Sequence, residues 1–225
     1  MTKHKLHFDS WKIFRIISEF VDGFETMTDI GPSVSIFGSA RIQKDHPYYA
    51  LTETVAKKIA EKGIGIITGG GPGLMEAANK GAQAGKAPSC GISIELPFED
   101  DANPFIDRKY LLHLRYFFIR KVLFIRYAQA CIFMPGGLGT LDELFETMTL
   151  IQTKKIKRFP IFLIGTSHWE GLMEWIRNKL LKEKFITQSD VDELIITDDP
   201  DLVANTIEAH YKKHGGEPAF DLDSQ

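Results

Sequence analysis

The stretch Met134-Pro135-Gly136-Gly137-Leu138-Gly139-Thr140-Leu141-Asp142-Glu143 constrains the chain more than any other. The apolar run Ala130 to Phe133 before it has the character of a buried strand. After it, Leu141, Leu144, Phe145, Met148 and Ile151 recur as one face of a helix. The glycines therefore occupy a strand-to-helix turn, where backbone can approach a ligand and the first helical N–H groups lack partners. Free donors and helix dipole together make such a turn an anion site, suited to a phosphate, and Thr140 adds a hydroxyl. A second reading stands beside this one: Thr140-x-x-Glu143 has the spacing of a capping box, in which both side chains merely close the helix start.

The same alternation runs through the rest of the chain. Strands are expected at Val34 to Phe37, Ile64 to Thr68, Ser89 to Leu96, from Leu111, at Ala130 to Phe133, Pro160 to Gly165 and Leu194 to Thr197. Helices are expected at about Pro47 to Lys62, Ala77 to Ala84, Phe117 to Ala128, after Gly139, Trp169 to Phe185 and Pro200 to His214. Strand and helix in this order predict right-handed βαβ units, hence a single-domain, Rossmann-like α/β fold: an open parallel sheet with helices on both faces. The core is placed at residues 34–214 and a frayed acidic tail at 215–225. Trp11, Phe14, Ile17, Val21 and Phe24 mark an amphipathic helix over 10–27 that packs on the domain or on a partner subunit. Residues 97–109 read as an irregular exposed loop at the ligand end.

In an open parallel sheet the turns leaving the strands share the carboxyl edge, where ligands bind. Three carry glycine: Gly38-Ser39, Gly69 to Gly73 (with Gly70 and Gly71 at its centre) and Gly136 to Gly139. None fits a dinucleotide fingerprint, because Leu74, Glu76 and Asp142 stand where a third glycine would be. No P-loop and no zinc spacing is present, so neither metal nor cofactor is expected. A net charge of −3 provides no basic field for nucleic acid, and any phosphate must be held by local groups. No apolar run approaches a membrane span or follows the first residues as a secretory core. Cys90 and Cys131 lie in apolar runs and read as reduced core residues, so the expected location is cytoplasmic.

Pro135 to Glu143 resembles in full the P-G-G-x-G-T-x-x-E signature of the LOG (LONELY GUY) family. Gly69 to Met75 and Gly38 to Arg41 resemble its two other glycine turns, and Arg120-Lys121 its Arg-Lys pair. The resemblance implies cytokinin riboside 5′-monophosphate phosphoribohydrolase activity, or hydrolysis of AMP itself, in a homodimer or larger homo-oligomer. It implies Glu143 and Arg120 as catalytic residues. Gly38, Ser39, Gly70, Gly71, Lys121, Gly136, Gly137, Gly139 and Thr140 would hold the phosphate and ribose of a small-molecule nucleotide. An older label for the family, possible lysine decarboxylase, finds no Schiff-base lysine motif here. Phe117-Phe118 stands where members with cytokinin activity usually carry Met-His, so the pocket wall differs. The competing class is a binding protein that holds a nucleotide or a phosphorylated, pterin-type cofactor without turnover.

Overall fold

The computed structural model describes residues 3–95, 102–215 and 220. The strands are β1 (Ser33–Phe37), β2 (Gly65–Thr68), β3 (Ser89–Ile94), β4 (Leu111–Leu114), β5 (Ala128–Phe133), β6 (Ile161–Leu163) and β7 (Leu194–Ile196). They form one sheet in the order β4-β3-β2-β1-β5-β6-β7, parallel at every pairing. Between and around them run α1 (Lys3–Thr28), α2 (Pro47–Ala60), α3 (Leu74–Ala84), α4 (Phe117–Arg126), α5 (Leu138–Gln152), α6 (Thr166–Trp175), α7 (Gln188–Asp192) and α8 (Pro200–His214).

The sheet is apolar on both faces because helices cover both. Along the strands, side chains alternate between two cores. Val34, Ile36, Ile66, Ile132 and Phe162 face the layer of α2, α3 and α8. Phe37, Ile67, Cys131, Phe133 and Leu163 face the layer that includes α1, α4 and α5. Local chemistry sets the helix starts. Pro47 follows an N-cap in which His46 Nδ1 accepts from Tyr48 N, and Pro200 follows Asp199, whose carboxylate accepts from Asp201 N and Leu202 N. Strand order reverses at the β1/β5 pair, so the topology itself opens a crevice beyond the carboxyl ends of those two strands.

The structure departs from four expectations. The α1 stripe that meets the domain is Ile16, Phe20, Phe24 and Met27, whereas Trp11, Phe14, Ile17 and Val21 are exposed. Of the acidic loop, residues 97–101 lie outside the described residues, and the part that is described is not all exposed: Asn103 and Ile106 are buried. The helix expected over Trp169 to Phe185 is α6 running on into a wider π-turn at Ile176–Leu181. Of the tail, only Gly215 and Phe220 are described, and Phe220 packs against the core.

Candidate functional site

β1 and β5 end side by side, and hydrogen bonds lock their turns together. Met134 N donates to Phe37 O (2.8 Å) and Ser39 N to Pro135 O (3.1 Å). The second glycine turn is tied to the first by Leu74 N donating to Ser39 O (3.0 Å). Beneath it, Asn79 organises a buried network: its Oδ1 accepts from Thr68 Oγ1 (2.6 Å) and Asn103 Nδ2 (2.9 Å), and its Nδ2 donates to Ser89 Oγ (2.9 Å). Asn103 also donates to Gly70 O from its backbone and its side chain. A cleft of about 620 Å³ opens above these turns.

Gly38, Ser39, Gly137, Gly139, Thr140, Arg120 and Glu143 all line this cleft. Gly70, Gly71, Gly136 and Lys121 do not. Gly70 and Gly71 present their carbonyls to Asn103, and Gly136 N points at His168 Nε2 (3.4 Å). Gly69 takes the place expected of its neighbours, since a Cβ there would overlap the Arg120 guanidinium. Asp142, Met75, Ile94, Phe117 and Phe124 complete the wall. Of these, Phe117 is the pocket-wall position marked by the missing Met-His, Gly69 and Met75 belong to the second glycine turn and Asp142 to the signature, whereas Ile94 and Phe124 carry no signal in the sequence.

The capping-box alternative is overturned. Helix α5 starts at Leu138 behind Gly137, no side chain caps it, and Thr140 and Glu143 both lie inside it. The first-turn N–H groups are thus left for a ligand beside the cleft. Thr140 packs its hydroxyl against Gly136, where even a methyl group would overlap it.

Glu143 sits one turn deeper. Its Oε2 is buried with no hydrogen-bond partner among the described residues, and Oε1 lies 3.3 Å from Lys121 Nζ. Burial pushes its carboxyl up to about 7; Lys121 pulls the other way, and Glu146 and Asp142 add to the rise. Lys121 is shared with Asp142 (2.8 Å) and Glu146 (2.5 Å). Burial opposes its charge, but those hydrogen bonds and the field of Glu143 hold it above the ordinary lysine range. Arg120 reaches Gly69 O (3.4 Å) from Nη2 and lies over the Phe124 ring, 5.0 Å from its centroid. Glu95 and Arg115 pair outside the cleft at 2.9 Å.

One end of the cleft can therefore hold an anion on helix N–H groups. Its floor carries a carboxyl poised between its two forms at neutral pH, and a guanidinium and apolar rings stand beside it. Among the described residues no group of His, Cys, Asp and Glu could hold a metal ion, and no helix is long and apolar enough to cross a membrane.

A family model described as "Possible lysine decarboxylase" matches residues 75–207. A cytokinin riboside 5′-monophosphate phosphoribohydrolase of Mycobacterium tuberculosis is 28% identical over 154 residues, covering 66% of this chain and 79% of that protein. A pyrimidine/purine nucleotide 5′-monophosphate nucleosidase of Escherichia coli is 30% identical over 127 residues, 52% of this chain but only 28% of that protein. Among solved structures, the molybdenum cofactor binding protein of Rippkaea orientalis superposes with a TM-score of 0.55 at 19% identity, covering 80% of this chain and 96% of that one. At that identity the likeness is one of fold.

Proposed function

The chain belongs to the LOG family, and from that membership we propose that it hydrolyses the N-glycosidic bond of AMP, or of an N6-substituted AMP such as a cytokinin nucleotide. The products are the free base and ribose 5-phosphate. At the coarser level, cleavage of a nucleotide's N-glycosidic bond, relatives bearing both phosphoribohydrolase and nucleosidase names agree.

The observation that carries the reading is the pairing of Glu143, held near 7, with Arg120 across one cleft at the uncapped start of α5. The 5′-phosphate lies on the N–H groups of the Gly137–Thr140 turn and the Thr140 hydroxyl. That places the ribose over Glu143 and the base toward Phe117, Met75 and Ile94. Glycosidic cleavage builds positive charge on the sugar. The Glu143 carboxylate stabilises that charge and takes a proton from water as the water oxygen bonds to C1′. The C1′–N bond breaks, its electron pair leaves with the base, and the base nitrogen takes up a proton. A base of pKa near the working pH suits this task. Arg120 orients the nucleotide and hydrogen-bonds the departing base. Lys121 sets the charge state of Glu143 rather than touching substrate.

The homo-oligomer is proposed to form through aromatic side chains left exposed on two helices, Phe117 and Phe118 on α4 and Trp11 and Phe14 on α1. Sedimentation at micromolar concentration should give at least a dimer.

The test of function is incubation with AMP and with N6-isopentenyl-AMP, followed by chromatography for free base. Release from wild type and none from Glu143→Gln supports hydrolysis. Saturable nucleotide binding without base release would replace it with the carrier reading.

A further inference from the structure

The phosphate turn stands in an acidic neighbourhood. Asp142, Glu143 and Glu146 follow it on α5, and Lys121 is the one cation ion-paired with them among the described residues. Even with Glu143 protonated, these four groups sum to a net negative charge. A dianionic phosphate placed there needs a further cation. Helix N–H groups supply only about half a charge between them. Arg120 is directed to the second turn, against Gly69 O and the Phe124 ring.

Arg41 is the remaining cation on the cleft wall. Its backbone is fixed on both sides: its N–H donates to Ser39 Oγ (3.1 Å) and its carbonyl accepts from Gln43 Nε2 (3.4 Å). Beyond it, Lys44 Nζ reaches Glu76 Oε1 (2.7 Å), which also accepts from Tyr49 Oη (2.8 Å), so the loop is stapled to α3. Ser39 in turn donates its N–H to Pro135 O, the residue before the phosphate turn. The side chain of Arg41 is exposed, and among the described residues no ion pair engages it.

We propose that Arg41 is a phosphate-binding residue of this cleft, closing on the substrate's 5′-phosphate opposite the N–H groups of Gly137 to Thr140. The inference rests on the phosphate placement in the proposed function, although it holds for any phosphorylated ligand seated there. A held backbone with a free guanidinium costs little to engage and gives a charge-assisted, bidentate contact. The contact is made alike in ground and transition states, so its loss raises KM and spares kcat.

The experiment is calorimetric titration of wild type, Arg41→Gln and Arg41→Lys with ribose 5-phosphate and with ribose, followed by AMP kinetics. Because the side chain is exposed, both variants should melt with the wild type. Expected is at least a tenfold loss of ribose 5-phosphate affinity in Arg41→Gln, partial recovery in Arg41→Lys, no change for ribose, and a KM effect on AMP. Ribose 5-phosphate affinity within twofold of wild type in Arg41→Gln overturns the proposal, as does failure of the wild type to bind ribose 5-phosphate. If the wild type binds ribose 5-phosphate but leaves AMP intact, the hydrolase reading fails while the Arg41 comparison still decides.

Discussion

Replacing Glu143 by glutamine should abolish turnover and yet stabilise the protein. The carboxyl is pushed from 4.5 up to about 7 by burial. At about 1.4 kcal/mol per pKa unit, its ionisation is roughly 3 kcal/mol harder in the native state than in the unfolded chain. The sign is the reverse of the usual salt-bridged carboxylate. The folded state holds the proton more tightly, so its stability falls as pH rises from 4.5 through 7, and the full cost applies above 7. Glutamine keeps the shape and never ionises. Lys121 would retain Asp142 and Glu146, so the loss of one partner is softened. The gain at pH 8.5 is therefore at most about 3 kcal/mol, or roughly 6–12 °C in melting temperature for a chain of this size. It should shrink to under half of that at pH 5.5 and vanish below 4.5. Calorimetry of both proteins at three pH values reads this directly, beside a chromatographic assay for released base. A melting temperature that falls at pH 8.5, or a gain that does not vary with pH, would refute the account of Glu143 as a buried, strained carboxyl.

In the wild type, kcat/KM for AMP should rise with pH through about 7 as the Glu143 carboxylate forms; Lys121→Met removes the charge that favours ionisation and should move that limb to higher pH. Gly69→Ala would put a methyl group on the Arg120 guanidinium, a flexible group that can swing away; kcat should drop about a hundredfold with little change in melting temperature. Asn79→Ala leaves the buried Thr68, Ser89 and Asn103 groups without their shared partner and should cost about 2–3 kcal/mol in denaturant titrations. Phe117→Glu with Phe118→Glu should shift the sedimentation coefficient to that of a monomer, since it places charge in the proposed subunit contact.

Much of this site could be read in the sequence because its anion-binding part is backbone. A glycine turn after an apolar strand says where N–H groups will point, and parallel topology gathers all such turns at one edge. The Gly137–Thr140 turn and the Gly38-Ser39 turn accordingly line one cleft. Of the second turn, Gly69 lines the cleft and Gly70 and Gly71 do not. Those at 70 and 71 are consumed by Asn103, a residue over thirty positions away whose reach no spacing rule encodes. In the sequence Glu143 stands between two roles, since a capping box depends on the helix's first residue, and the helix begins two positions before Thr140.

The properties that decide chemistry were the least visible. The Glu143 carboxyl is pushed up to about 7 because it is buried, against the pull of a Lys121 that is shared among three acids. In the sequence Lys121 simply adjoins Arg120, on a helix that runs up to β5. The fold then separates the pair: one side chain goes into the cleft and the other behind it, toward α5. In the proposed reaction the two adjacent cations act on one nucleotide in different ways, Arg120 by contact and Lys121 through the charge of Glu143. The kinetics should separate them: substitution of Arg120 should lower the pH-independent rate, and substitution of Lys121 should chiefly move the pH profile.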